Sequence, residues 1–479
     1  MLRRLSLALA VAAATGMAWA EDAPLASKTD LVTVYTEAVK NNADLAAARA
    51  NYAAISEVVP QARAGLLPNL SAGADAMNTD TDVDTRAGNV SASRSGLSYR
   101  ASLSQPLFRA DRWYQFQAAK ATDQQYALQL SATEQNLILQ SAETYFAVLR
   151  AQDTLASTKA EEAAFKRQLD QANERFDVGL SDKTDVLEAQ AGHDTARANR
   201  ILAQRSVDDA FQALVTLTNR DYGSIEGILH TLPVLVPTPN DAKAWVDTAA
   251  QQNLNLQASN YAVDAAEETL RQRKAGHAPT LDAVAQYQKG DNDSLGFTNN
   301  GATSIYDGDA EQTSIGLQLN IPIYSGGLTS SQVREAYHRL NQGEQERESL
   351  RRQVVENTRN LHRAVNTDVE TVQARRQSII SNQSALEATE IGYQVGTRNI
   401  VDVLDAQRQL YAAVRNYNNA RYDYILNNLR LKQAAGTLAP SDLEALSGFL
   451  KPDYDPDKDF LPPDLAKAAE AQLRGNSDY

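Results

Sequence analysis

A sixteen-residue pattern occurs twice in this chain at a fixed spacing. Arg175-Phe176-Asp177-Val178-Gly179-Leu180-Ser181-Asp182-Lys183-Thr184-Asp185-Val186-Leu187-Glu188-Ala189-Gln190 returns 217 residues later as Gly392-Tyr393-Gln394-Val395-Gly396-Thr397-Arg398-Asn399-Ile400-Val401-Asp402-Val403-Leu404-Asp405-Ala406-Gln407. Each copy has an aromatic, then Val-Gly, a polar turn, Asp-Val-Leu, an acid and Ala-Gln. A register shared over this length marks a duplication. A chain of 479 residues would ordinarily divide into two or three domains. The duplication makes it one body of two similar halves instead.

Other landmarks keep the same order. Gly65 and Pro68 return as Gly276 and Pro279 at an offset of 211, and Pro106 returns as Pro322 at 216. Apolar residues recur at spacings of three and four from Asp30 to Ala64, which predicts a helix that Thr29 or Asp30 can cap and that Gly65 and Pro68 end. Two strand-like runs follow. Leu97, Tyr99, Ala101 and Leu103 alternate with Ser98, Arg100, Ser102 and Ser104, and residues 70–77 form a weaker partner run. A polar loop with Asp80, Asp82, Asp84, Gly88 and Asn89 is expected between them, over about 78–96. From Asp111 to Phe176 there is no proline or glycine for 66 residues. That predicts one helix roughly 100 Å long at 1.5 Å per residue. A second helix is expected over 183–218, then a Gly/Pro-rich linker over 219–241.

The second half repeats the plan. A helix is expected over 242–274, a strand over 281–288 and a polar loop over 290–312. Ile315, Leu317, Leu319 and Ile321 form an alternating strand. A long helix over 328–391, interrupted at Gly343, and a helix over 400–435 complete the half. Two short helices end to end equal one long one, so the simplest packing is a rod with each long helix beside a pair of short ones. Val333, Tyr337, Leu340, Leu350, Val354, Leu361, Val365, Val369 and Val372 form a thin, broken apolar seam with polar flanks. A helix wet on two faces suits the wall of a water-filled tube or an extended coiled coil.

The ends carry an address. Arg3 and Arg4, an apolar run over 5–14 and Ala18-Trp19-Ala20 read as a signal peptide, 1–20, with the mature chain starting at Glu21. The expected organisation is then a first structural repeat over 21–240, a second over 241–450, and a disordered tail rich in Pro, Asp and Lys over 451–479. There is no cysteine, so no disulfide staples the fold. No stretch approaches 18 consecutive apolar residues, so any membrane span must be built from strands. Four strands cannot close a membrane barrel alone, and open edges are not tolerated in lipid, so a membrane role requires several copies. Tyr99, Phe108, Trp113, Tyr287 and Tyr324 suit an interfacial aromatic belt. The net charge is −14, or −16 after loss of Arg3 and Arg4, which argues against nucleic acid as a partner.

Catalytic and metal signatures are absent. There is no H-E-x-x-H, P-loop, G-x-S-x-G or G-x-G-x-x-G pattern, so enzymatic activity and a bound cofactor are not expected. His193, His230, His277, His338 and His362 lack metal-ligand spacing and read as solvated residues. Asp80-x-Asp82-x-Asp84 starts like a calcium loop but places Thr85 at position six and Ser91 at twelve.

Local chemistry explains part of the repeated motif. Gly179 and Gly396 can end helices at φ > 0. Asp182 and Asn399 suit N-caps, with Asp185 and Asp402 three residues on at capping-box spacing. Asp405 lies beyond the first turn, on the face of Asp402 at i and i+3. The second copy carries Tyr393, Arg398 and Asp405 where the first has Phe176, Ser181 and Glu188.

The motif, the duplicated strand-strand-long-helix plan and runs such as Ala-Gly-Leu-Leu-Pro-Asn-Leu at 64–70 and Ile-Pro-Ile-Tyr-Ser-Gly-Gly at 321–327 resemble the outer membrane efflux family over about residues 30–450. The resemblance implies an α+β membrane protein: a homotrimer whose four strands per protomer close one outer-membrane β-barrel in lipid, continued by a periplasmic α-helical coiled-coil barrel. It implies an exit duct for drug efflux or type I secretion, working with a periplasmic adaptor and an inner-membrane efflux pump or ABC transporter. It also implies a periplasmic gate in which Tyr393 and Arg398 bond to Thr184 and Asp185, with Asp402 and Asp405 as acidic rings in the pore. Glu174 stands where the resemblance leads one to expect glutamine, and takes no gate role. A soluble periplasmic coiled-coil scaffold with a small sheet is the competing reading.

Overall fold

The computed structural model describes residues 28–86, 88–291 and 309–462. The signal segment at 1–20, most of the loop at 290–312 and the chain beyond 462 lie outside the described residues. Two helices set the length of the protein: α4 (Ala110–Asp177) with 68 residues and α8 (Leu328–Gln394) with 67. Gly343 does not interrupt α8, because a lone glycine costs a helix only about 1 kcal/mol. Beyond the two turns, α5 (Lys183–Thr218) returns along α4 and α9 (Ile400–Ala434) along α8. The other ends are covered by α1 (Leu31–Asn41), α2 (Ala43–Ser56) and α3 (Val58–Ala64), and in the second repeat by α6 (Ala242–Gln252) and α7 (Leu254–Ala275).

The helix expected over 30–64 is three pieces. Asn42 breaks it by capping α2: its Oδ1 accepts from the Leu45 N–H at 2.9 Å and its Nδ2 donates to the Leu217 carbonyl at 3.4 Å. Asn253, 211 residues on, makes the same pair of bonds to the Leu256 N–H and the Ala434 carbonyl, both at 3.0 Å. Each break thus stitches a short helix onto the end of α5 or α9. Pro60 accounts for the second interruption, since it has no N–H to continue the ladder. Arg271 stands at the equivalent place, and α7 runs unbroken.

Four antiparallel strands form one sheet in the order β1 (Asn69–Thr85), β2 (Gly88–Phe108), β4 (Thr280–Asp291), β5 (Asp309–Asn320). The loop expected over 78–96 is instead strand, paired from Asn69↔Ser104 out to Thr85↔Gly88. Thr79, Thr81, Val83 and Thr85 alternate with the aspartates, and ladder bonds need only backbone, so a polar hairpin extends as readily as an apolar one. Lower down, Leu70, Leu97, Tyr99, Leu103, Ile315, Leu317 and Leu319 are exposed large apolar side chains. At the base of the sheet Arg109 donates two bonds to Asp282, at 2.9 and 2.6 Å. No helix among the described residues is long and apolar enough to cross a membrane.

The main core sits at mid-height, where the linker passes. Tyr145, Phe146 and Leu149 on α4 are fully buried against Leu31, Val414 and Tyr422. Each such side chain contributes roughly 2–3 kcal/mol relative to exposure. Linker residues Gly227–Ile228 form β3, which pairs with β6 (Leu450–Lys451) beside α10 (Pro440–Ser447).

Residues 451–462 are folded, against the expectation of disorder from 451. After β6 comes a turn of helix, α11 (Pro456–Asp459), and Tyr454 and Phe460 are buried. Polar composition suggested disorder, but two aromatic anchors and buried partners outweigh it. The Tyr454 and Tyr422 hydroxyls both donate to the carboxylate of Asp153, which is 4 % exposed. Burial pushes the Asp153 carboxyl up to about 6, against the lowering effect of the two hydroxyls and Arg421. His230, expected to be solvated, stacks on Tyr417 and contacts Arg421 through Nδ1 and the Asp459 carbonyl through Nε2, both at 2.9 Å. His362 is also buried, on α8.

Candidate gate at the duplicated turn

Both turns close with the same backbone geometry. In the first, the N–H of Val178 donates to Glu174 O at 3.3 Å, Gly179 to Phe176 O at 2.9 Å and Leu180 to Arg175 O at 2.7 Å. In the second, Val395 donates to Ile391 O at 3.1 Å, Gly396 to Tyr393 O at 3.1 Å and Thr397 to Gly392 O at 2.8 Å. Gly179 and Gly396 take φ of 78° and 79°, the left-handed region where a Cβ is strained. Both glycines do what the sequence assigned to them.

The helix starts differ between copies. Asn399 accepts from the Asp402 N–H at 2.8 Å and Asp402 accepts from the Asn399 N–H at 3.4 Å, a complete capping box. Asp182 makes no side-chain cap bond, so the spacing at Asp182 and Asp185 does not form one. Asp185 is half-buried and Thr184 exposed at the first turn of α5.

Tyr393 is 7 % exposed and packs in a small core with Phe165, Ala196, Ile400, Val403 and Leu404. That core joins α4, α5, α8 and α9 just inside the turns. The Tyr393 hydroxyl is buried without a hydrogen-bond partner in the protomer. Its pKa is raised, first by burial and also by Asp185, while Arg175 opposes. The Asp185 carboxylate therefore acts on Tyr393 through space without bonding to it.

Arg398 turns to its own helix: its Nη1 lies 3.8 Å from Asp402 Oδ2. Its stem crosses Gly392, where an added Cβ would come within 2.7 Å of Arg398 Cγ. Asp405 pairs with Arg408 at 2.7 Å. Within the protomer, each candidate pore acid thus has a cation beside it. Glu174 is exposed at the end of α4.

Two residues were missed in the sequence. The Arg175 guanidinium lies 4.8 Å from the Tyr393 ring centroid, and Arg408 pairs with Asp405. Arg408 was findable from the i,i+3 spacing, and Arg175 as the residue that replaces Gly392 in the first copy. Nearby, burial raises the Glu390 carboxyl while its bond with Gln407 lowers it.

Comparison with known proteins agrees with this architecture. The family described as outer membrane efflux protein matches residues 34–220 and 245–437, one match per repeat. The outer membrane protein TolC of Vibrio cholerae is 36% identical over 450 residues, 93% of this chain and 98% of that protein. The alkaline protease secretion protein AprF of Pseudomonas aeruginosa is 27% identical over 423 residues, 87% of this chain and 86% of its own length. The crystal structure of the outer membrane protein VceC from Vibrio cholerae superposes with a TM-score of 0.73 at 18% identity, covering 85% of this chain and 96% of that one. The chain belongs to the outer membrane efflux protein family.

Proposed function

We propose that three copies of this chain form a channel-tunnel through the outer membrane and periplasm, with the duplicated turns as its periplasmic gate. The exit-duct role in the outer membrane, for efflux and type I secretion, rests on the family and on relatives such as the outer membrane protein TolC and the alkaline protease secretion protein AprF. One observation carries the assembly: a four-stranded sheet with an exposed apolar face and two open edges stands on helices of 68 and 67 residues. In lipid such a sheet must close, and more than one copy is needed to close it. Strands of 12 to 21 residues are long enough to cross.

In this reading Tyr393 and Arg398 hold Thr184 and Asp185 of adjacent helices, and Asp402 and Asp405 ring the pore. The unsatisfied Tyr393 hydroxyl supports it, because a buried hydroxyl costs about 1–3 kcal/mol without a partner and a neighbouring copy can supply one. A periplasmic adaptor and an inner-membrane pump or ABC transporter would act at the turns. Fractionation tests the proposal. Sedimentation with outer membrane and a detergent-resistant trimer are expected; a soluble periplasmic monomer would establish the scaffold reading instead.

A further inference from the structure

We infer the register in which two copies of this chain join: β5 of one lies antiparallel to β1 of the next, with Gly316 opposite Met77 of the partner subunit. The inference rests on the trimeric reading above and adds the geometry of its seam.

The duplication supplies the register. Repeat mates differ by 211 between β1 and β4 and by 216 between β2 and β5. The hairpins test this map. Paired residues in β1 and β2 sum to 173 (Asn69↔Ser104); adding 211 and 216 gives 600, the sum found in β4 and β5 (Thr280↔Asn320). One seam within the chain crosses between repeats, β2 against β4, where paired residues sum to 388 (Ser98↔Gly290). Exchanging each strand for its mate turns this seam into β5 against β1, and the sum becomes 388 + 216 − 211 = 393. β1 and β5 are the two outer strands of the sheet, so both edges are available.

Side-chain direction gives an independent check. Across β1 and β2, Ala76 pairs with Leu97 and Ala74 with Tyr99, on the exposed apolar face. The inferred seam sets Leu317 opposite Ala76 and Leu319 opposite Ala74 of the partner subunit, apolar beside apolar. A slip of one residue would set Leu317 beside Asp75 or Met77 of the partner subunit, from the other face.

Size separates this register from slips of two. Met77 already faces Gly96 on β2. Gly316 would give it a second glycine on its other side, and a Cβ built at Gly316 meets nothing within 4 Å in the single chain. On the apolar face, large Leu97 and Tyr99 stand beside Ala76 and Ala74, and large Ile315 and Leu317 beside Ala285 and Ala283. Large β5 against small β1 continues that alternation around the ring; like edges meeting would break it.

The seam has a limit. Above Gln312 the register sets Glu311 opposite Asp82, and Asp309 opposite Asp84, of the partner subunit, and like charges directly opposite oppose pairing. Pairing thus spans Gln312–Asn320 with residues 73–81, about the length that crosses a bilayer. The helices follow the same exchange. α4 packs on α2 of its own repeat and on α7 of the other; its mate α8 packs on α7, leaving the equivalent flank for α2 of the next copy.

The chain has no cysteine, so engineered disulfides have no background. Gly316→Cys combined with Met77→Cys is compared with Gly316→Cys combined with Asp75→Cys or Thr79→Cys, by oxidation in isolated membranes and denaturing, non-reducing electrophoresis. Directly opposed strand residues meet disulfide geometry and diagonal ones do not, so the 316–77 pair should give at least about tenfold more covalent dimer and trimer. Preferential cross-linking of 316 to 75 or 79, or no cross-link in a heat-resistant trimer, overturns the register but leaves the trimer standing. Loss of the trimer in the unsubstituted protein overturns both.

Discussion

The Arg175 guanidinium lies over the ring of Tyr393, 4.8 Å from its centroid, and so ties the first copy of the turn to the second. Such a contact contributes about 0.5–2 kcal/mol, depending on exposure. It holds the ring in the small core while leaving the hydroxyl free of any partner in the protomer. The Arg398 guanidinium, meanwhile, has an exposed contact with Asp402 at 3.8 Å, worth less than about 1 kcal/mol. In the gate proposed above, contacts between copies would supply what these two side chains lack in the protomer. Tyr393→Phe with Arg398→Glu should therefore raise single-channel conductance in planar bilayers several-fold. An unchanged conductance would remove both residues from the gate.

The mid-height core should respond to pH. The Asp153 carboxyl is raised to about 6 in the folded protein, from an unfolded value near 3.8. A raised acid stabilises the fold fully below the unfolded value, and that stability is lost as pH rises through 6. Two units correspond to about 3 kcal/mol. The groups facing Asp153 are the Tyr454 and Tyr422 hydroxyls, with Arg421 and Asp459 acting at longer range. Protection factors of the amides over residues 450–462, which divide out the intrinsic pH dependence of exchange, should rise between pH 7 and pH 5. Asp153→Asn should abolish that dependence; a dependence that survives the substitution would place the titrating group elsewhere.

How much of this was legible depends on the force involved. The span of α5 was read without error, because a glycine turn and an asparagine in the left-handed region bound it. The Asn42 break was not, since Asn in an alanine-rich helix looks tolerable until its second bond, to Leu217, is known. Pro60 is a visible signal of the second break, since it has no N–H to continue the helix ladder. The tail at 451–462 misled because Tyr454 and Phe460 find their partners only in the assembled mid-height core. Candidates for the gate were legible by type and spacing. Their partners were not: Arg398 reaches Asp402 and Arg175 reaches Tyr393 across distances that only the packing fixes.

Two glycines should answer substitution with opposite signs. Gly396 has φ of 79°, so Gly396→Ala should cost about 1–2 kcal/mol. Gly343 lies within α8, where an added Cβ meets only Val263 Cγ2 at 3.8 Å, so Gly343→Ala should stabilise by roughly 1 kcal/mol. Thermal unfolding of the detergent-solubilised protein reads both. Equal shifts would mean that neither backbone conformation limits stability.

The candidate pore acids should prove to be muted by their neighbours. Asp405 is paired with Arg408 at 2.7 Å, and both side chains are about half exposed. If the acids line a narrow pore, multivalent cations must compete with these arginines for the carboxylates. Removing Arg408 leaves Asp405 unpaired and adds one negative charge per protomer, and confined like charges raise the local cation concentration. Arg408→Ala should thus lower the concentration of a trivalent cation that half-blocks conductance by about tenfold, a change of 1.4 kcal/mol. Asp405→Ala should raise it, and the double substitution should resemble Asp405→Ala alone. Block that is insensitive to Arg408 would mean that Asp405 does not face the permeating ion.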